Sequence, residues 1–238
     1  MNFAYNLQLF KEIFFPRHCA VCDKIIDTGL VCDCCRANFT LNKIKIYGAN
    51  QESWSKLVAI GQPVVAEDVF DRTQFLYRYD GAFKDSLHSL KFEAKKELLP
   101  FLREEAELAL QKEMHAFKCH YDIITCIPTS AERRAKRGFD VPQEIFACLS
   151  NTLQADVLLE RVKSTAPLYT MDAVERRNEL EGCFSLKAGA NVQHKRVLLC
   201  DDIYTTGSTM LEAGQALLRA GAKSAGVLAF CTSKDNWS

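Results

Sequence analysis

Residues 197 to 209, Val-Leu-Leu-Cys-Asp-Asp-Ile-Tyr-Thr-Thr-Gly-Ser-Thr, constrain what this chain can fold into more than any other stretch. Val197 to Cys200 is an unbroken apolar run, the pattern of a strand covered on both faces, and such strands belong to parallel sheets. Met210 to Ala220 has the apolar spacing of a helix, and Gly221 follows it as a stop. The residues between are therefore a strand-to-helix turn, and the chain reads as an α/β fold. Thr205, Thr206, Gly207, Ser208 and Thr209 offer backbone N–H groups and hydroxyls where the helix dipole favours an anion, and Gly207 lets the backbone approach closely. This is the make-up of a cup for a monophosphate. Asp201 and Asp202 stand at the carboxyl end of the strand, where α/β sheets place ligands. Successive strand residues point to opposite sides, so the two carboxylates have different tasks. A ribose diol with a magnesium ion nearby fits them. Acidic pairs and Thr/Ser/Gly turns also occur in ordinary loops and caps, so the ordered conjunction carries the reading.

That run resembles the 5-phosphoribosyl-1-pyrophosphate (PRPP) signature of type I phosphoribosyltransferases. The resemblance implies that the acidic pair contacts the ribose hydroxyls and that the Thr-Thr-Gly-Ser-Thr loop holds the 5-phosphate. It is not a Walker loop, because no lysine follows the glycine.

A chain of 238 residues, 48% hydrophobic, can bury one sizeable core or a domain with a small appendage. Thirty basic and thirty acidic residues give zero formal charge, so no global positive field argues for nucleic acid. No apolar run approaches the roughly 20 residues that span a bilayer. The first fifteen residues lack a basic leader and a small-residue cleavage site, so a cytoplasmic protein without membrane insertion is expected. Phe3, Leu7, Phe10, Ile13 and Phe14 line one face of an N-terminal helix that docks on the rest of the fold.

Five of eleven cysteines lie between residues 19 and 35, and a disulfide framework does not suit a chain of this size without a secretion signal. Cys19 with Cys22 and Cys32 with Cys35 form two C-x2-C pairs with Asp27-Thr28-Gly29 as the turn between them, a set that favours tetrahedral structural zinc. Cys34 and His18 remain spare donors; Cys35 is preferred because it repeats the spacing. Four cysteines leave no open coordination position, so the metal serves to fold a segment without a core of its own. Lys24, Arg36, Lys43 and Lys45 nearby leave a nucleic-acid role open, offset by Asp23, Asp27 and Asp33. Of the scattered cysteines (Cys119, Cys126, Cys148, Cys183, Cys200 and Cys231), each reads as a small buried hydrophobe, and Cys200 beside the acidic pair is the one to watch.

Residues 37 to 72 show no clear period and read as a connecting segment with short strands. Gln74 to Tyr79 reads as a strand, Phe83 to Phe92 as an amphipathic stretch, and a longer helix begins around Pro100. Lys91 at the end of the first helix is either a phosphate contact or a solvated lysine. Asp122 to Ile127 is a second apolar strand running into a polar loop, Pro128-Thr129-Ser130. The basic run Arg133, Arg134, Lys136 and Arg137 before Gly138 fits a mobile loop that engages pyrophosphate as it leaves a sugar. It fits equally an exposed charged loop or a nucleic-acid contact.

The order of these parts is similar to that of the ComF family. The shared parts are the four-cysteine knuckle, Leu-Lys-Phe at 90–92, Ile-Pro at 127–128, Arg-Gly-Phe at 137–139, Glu-Arg-x-Asn at 175–178, Phe184 and the 201–209 signature. Members are phosphoribosyltransferase-domain proteins linked to bacterial competence and DNA uptake or utilisation. The resemblance implies a type I phosphoribosyltransferase-like, mostly parallel sheet flanked by helices, preceded by a zinc-bearing segment. Residues 1–45 would form that segment, 46–72 a connection and 73–238 the phosphoribosyl domain. It also implies PRPP with Mg2+ as ligand, with transfer to a nitrogen acceptor and release of pyrophosphate. The alternative is a non-catalytic nucleotide sensor, or a module contacting single-stranded DNA or competence proteins. This chain departs from the family at Asp140-Val141-Pro142-Gln143, where Asn-Gln usually follows Arg-Gly-Phe, and at Leu168, where a glutamine usually stands.

Overall fold

The computed structural model describes residues 16–44, 69–93, 95–163 and 173–233. The expected N-terminal helix, Thr165 and Leu168 lie outside them. Two antiparallel strands, β1 (Arg17–His18) and β2 (Ile25–Ile26), open the described chain, followed by helix α1 (Asp33–Leu41). Then come β3 (Thr73–Arg78), α2 (Gly81–Phe92), a 3-10 turn at Lys96–Leu98, α3 (Leu99–Leu110), α4 (Met114–His120) and β4 (Ile123–Cys126). Helices α5 (Ala131–Arg137) and α6 (Val141–Ile145) lead to β5 (Gln154–Ala155) and β6 (Leu159–Arg161). The remainder is α7 (Ala173–Leu180), β7 (Phe184–Leu186), β8 (Arg196–Tyr204), α8 (Ser208–Arg219) and β9 (Ser224–Thr232).

Five strands form one parallel sheet in the order β3-β9-β8-β4-β5. The α/β expectation is borne out, and β8 lies at its centre, with Cys200 opposite Cys126 of β4 and Leu228 of β9. Strand residues sort by the period of the pleat. Leu198, Cys200, Leu228 and Phe230 enter one apolar cluster with Phe83, Leu87 and Leu90 of α2. Val197, Leu199, Val227 and Ala229 enter a second with Met210, Leu211 and Leu217 of α8 and Phe184 of β7. Helices thus cover both faces, as a near-continuous apolar strand requires. Because the strands run parallel, the loops after β3, β4 and β8 open on one edge of the sheet. A two-stranded antiparallel unit, β6 with β7, sits apart on the α8 side.

Several elements differ from the sequence reading. Strand β8 continues past Cys200 to Tyr204, so both aspartates belong to the strand. Residues 37–41, read as connection, are helical in α1: Cys35 and Phe39, one turn apart, are both buried and give the helix an apolar face. The basic run 133–137 is a helix and not a loop, because Ser130 caps its start and Gly138 takes the left-handed conformation at its end. Pro142 does not disturb a helix start; it occupies the first turn of α6, where its missing N–H would have no partner. Among the scattered cysteines, Cys183, Cys200 and Cys231 are buried, but Cys119 is exposed and Cys126 and Cys148 are half-buried.

Candidate functional site

The turn from β8 into α8 is built by Gly207, whose φ of 81° is open to glycine and strained for other residues. Behind it, the Thr206 hydroxyl lies 2.9 Å from the Ser208 hydroxyl and accepts from the Ser208 N–H at 3.4 Å. The sequence reading began the helix at Met210; it begins at Ser208, so Ser208 and Thr209 occupy its first turn. Thr205, Thr206, Gly207, Ser208 and Thr209 therefore surround a helix N-terminus with N–H groups at the open edge of the sheet, an arrangement that attracts an anion.

The two carboxylates face different surroundings. Asp202 is buried, and its Oδ1 accepts from Lys91 Nζ at 2.8 Å, Lys91 being near the end of α2. Asp201 Oδ1 accepts from the backbone N–H of Asp202 at 2.8 Å. Burial, with the Asp202 charge beside it, pushes Asp201 up to about 8, against the opposing charges of Lys91 and Arg161. The site around Asp201 therefore resists negative charge unless a cation or a hydrogen-bond donor enters.

Cations converge from three elements. Arg137 of α5 donates from Nε and Nη2 to the Lys91 carbonyl, at 3.2 and 3.1 Å, which ties α5 to the end of α2. Its guanidinium is lowered by burial and feels Asp202. Arg133 is exposed on the same helix, and its N–H donates to Ser130 Oγ at 3.4 Å. Pro128, Thr129 and Ser130 follow β4 on the same edge, anchored where Ile127 N–H donates to the Cys200 carbonyl at 2.9 Å. Arg134 turns away to Asp140, Nε to Oδ2 3.3 Å, while Oδ1 of this buried Asp140 has no partner among the described residues.

Two neighbours escaped the sequence reading as site residues. Arg161 ends β6 opposite Phe184 of β7, its guanidinium carbon 5.6 Å from the ring centroid, and its charge reaches Asp201 from the α8 side. Tyr79 follows β3, its N–H donating to the Thr232 carbonyl at 2.7 Å; burial, Cys231 and Asp202 raise its phenol. Both depend on which strands become neighbours, and no local motif announces them. Cys200 is buried, and burial together with the adjacent Cys126 thiol raises it well above the ordinary range, so it is inert as a nucleophile.

At the start of α1, the sulfurs of Cys19, Cys22, Cys32 and Cys35 all lie within 4.8 Å of one another, with Cys22 and Cys32 at 3.7 Å. A tetrahedron with metal–sulfur bonds of about 2.3 Å has edges of about 3.8 Å, so the set fits a closed zinc centre. Cys32 also caps α1, accepting from Cys35 N–H at 3.4 Å, and Cys32 N–H donates to Cys19 Sγ at 3.3 Å. Burial raises the Cys19 thiol but backbone donors from Cys32, Cys22 and Val21 bring it down to about 6, whereas burial and the neighbouring sulfurs push Cys35 up, so the four thiolates need a cation among them to ionise together. Cys34 is exposed outside the cluster, and His18 Nδ1 lies 2.8 Å from the Asp23 carbonyl.

Residues 95–238 match the family model described as "Phosphoribosyl transferase domain". The chain is 31% identical over 152 residues to "DNA utilization protein YhgH" of Escherichia coli O157:H7, covering 61% of this chain and 65% of that protein. It is 30% identical over 148 residues to "Competence protein ComFC" of Streptococcus pneumoniae, covering 62% of each. The match thus spans less than two thirds of these relatives' length. A hypoxanthine phosphoribosyltransferase structure from Staphylococcus aureus overlaps 58% of this chain and 66% of its own, at 15% identity and a TM-score of 0.37.

Proposed function

The chain belongs to the phosphoribosyl transferase domain family, and on that premise we propose that it binds PRPP with Mg2+ and transfers the phosphoribosyl group to a nitrogen acceptor, releasing pyrophosphate. The observation that supports this best is the charge pattern of the sheet edge. Lys91, Arg133, Arg137 and Arg161 gather around two aspartates, of which Asp202 is already paired with Lys91 and Asp201 is pushed up to about 8. These cations stand beside a helix N-terminus, a setting that suits a ligand with several negative charges. In this reading Thr205, Thr206, Gly207, Ser208 and Thr209 hold the 5-phosphate, and Asp201 and Asp202 receive the ribose diol. Lys91, Arg133, Arg137 and the Pro128, Thr129, Ser130 loop face the pyrophosphate.

The closeness of two carboxylates fits a divalent cation nearby, because a cation offsets the burial and the Asp202 charge that together raise Asp201. Mg2+ would supply neutralisation of the departing pyrophosphate. The residues prepare the same event: as the C1–O bond lengthens, negative charge grows on the pyrophosphate, and Arg133 and Arg137 of α5 would meet it. The Asp202–Lys91 pair holds the ammonium in place before the ligand arrives.

The similarity to a DNA utilization protein and a competence protein supports a role in DNA uptake or utilisation. Among the described residues no helix is long and apolar enough to cross a membrane. The exposed arginines of α5 favour a second reading, a nucleotide-sensing module that contacts single-stranded DNA or a competence protein. Pyrophosphate release from PRPP in the presence of a panel of nitrogen bases tests the first reading. Release that requires a base and is lost in Asp201→Asn supports the enzyme. Binding of PRPP without release from any base, together with salt-dependent binding of single-stranded DNA, supports the module.

A further inference from the structure

The four-cysteine centre and the sheet edge are joined by a continuous set of contacts. Cys32 caps α1, and Cys35 lies one turn before Phe39 on the same buried face. The Phe39 ring, fully buried, lies with its centroid 3.8 Å from that of Phe83 of α2 and 4.7 Å from that of Phe101 of α3. Beside it, Asn38 closes on Gly81: a Cβ there would sit 3.0 Å from Asn38 Oδ1, so the Asn38 side chain of α1 packs against the backbone at the start of α2. Phe83 leans in turn on Tyr77 of β3 and Phe230 of β9, at 4.2 and 5.6 Å. Helix α2 is then seated by Phe83, Leu87 and Leu90, all fully buried, and Lys91 follows at its end. A helix of this length is about 18 Å long and stiff, so a tilt at Phe83 moves Lys91. At that end Lys91 Nζ meets Asp202 at 2.8 Å, within a chemically sensitive cluster.

We propose that Phe39 is a positioning residue for Lys91: the four-cysteine centre fixes α1, α1 holds α2 through Phe39 and Asn38, and α2 holds the Lys91 ammonium on Asp202. The metal-bearing segment is then part of the ligand site at a distance, and its loss frees Lys91. A segment that lacks a core of its own depends on its metal to keep that pressure on α2. The proposal rests on PRPP as the ligand only for its binding arm.

Two readouts test it. The first needs no ligand: amine acylation by a succinimidyl ester, read residue by residue by mass spectrometry, with Lys118 on α4 as internal control. Lys91 is protected in the zinc-loaded protein. In Cys22→Ser, and in Phe39→Leu with its zinc retained, its acylation rises several-fold while Lys118 does not change. The second is the affinity for PRPP with Mg2+ in a double-mutant cycle. Phe39→Leu weakens it about tenfold, a coupling of usual size, and adds nothing further in a Lys91→Met background. A merely structural role would lower affinity by the same factor in both backgrounds. Should Cys22→Ser fail to fold, Phe39→Leu decides alone. Unchanged Lys91 acylation in folded Phe39→Leu overturns the proposal, as do equal losses in the two backgrounds. If Lys91 becomes reactive but no variant, wild type included, binds PRPP, the coupling stands and the ligand reading falls.

Discussion

Lys91 and Asp202, 111 positions apart in the sequence, are joined by an ion pair of 2.8 Å whose carboxylate side chain is one tenth exposed. The pair sets one carboxylate of the acidic motif apart from the other. Asp202 is already neutralised from the α2 side, whereas Asp201 depends on what enters.

Removing one partner of that pair leaves the other charge buried. Lys91→Met should lower stability by about 2 kcal/mol, the usual scale for a lost charged hydrogen bond, and adding Asp202→Asn should restore much of it. Denaturant unfolding of the single and double variants checks this. Equal instability in both would mean that the loss comes from the lysine's packing and not from the stranded carboxylate.

The opposite edge of the sheet carries a pH-dependent contribution. Asp122 accepts from the Arg196 side chain at 2.8 and 3.1 Å and from its backbone N–H at 2.8 Å, and these bonds hold Asp122 down at about 2. The folded form binds this proton less readily than the unfolded chain, so the contribution is complete above pH 4 and is lost as pH falls toward 2. Arg196→Met should cost about 1 kcal/mol at neutral pH, in keeping with a partly exposed pair. Stability curves of variant and wild type should draw together as pH falls through about 2 and meet below it.

Gly207 holds a φ of 81° at the entrance to α8. Gly207→Ala should destabilise the fold by about 1–2 kcal/mol, the cost of a left-handed residue with a Cβ, and weaken anion binding because the cup must open to relieve the strain. Thermal melts with and without PRPP separate the two effects: the ligand-induced rise in melting temperature should shrink along with the melting temperature itself.

Metal analysis of the purified chain should give about one zinc per molecule, as four thiolates closing one site require. Cys22→Ser or Cys32→Ser should lose the metal, and Cys34→Ser should keep it. A fully folded wild-type chain without metal would contradict the assignment.

The local parts of this protein were legible where a single element carries the signal. The strand through Cys200, the turn at Gly207, the helix stopped by Gly221 and the paired cysteines each rest on spacing that the structure reproduces within a few residues. The basic run 133–137 was misread because its charges mask a helix whose only marks are its caps, Ser130 and Gly138. Residues 37–41 were misread because their helix is specified by the cysteine cluster at its start and by Phe39 packing on a distant helix, neither of which gives a local period. Lys91 was identified as a phosphate contact or a solvated lysine, while its carboxylate partner emerged only from topology. Arg161 and Tyr79 reach the site through strand neighbours brought together by the sheet, information that a linear motif does not contain.

The proposed PRPP site consists of the β8–α8 turn and its two aspartates. Isothermal titration of PRPP with Mg2+ into wild type and into the Asp201→Asn, Asp202→Asn double variant tests it most directly. Saturable heat with one site per chain is expected in the wild type, and at least a tenfold weaker affinity, a loss of about 1.4 kcal/mol, in a variant that remains folded. Equal affinity in the two proteins, or no heat from a folded wild type, would contradict it.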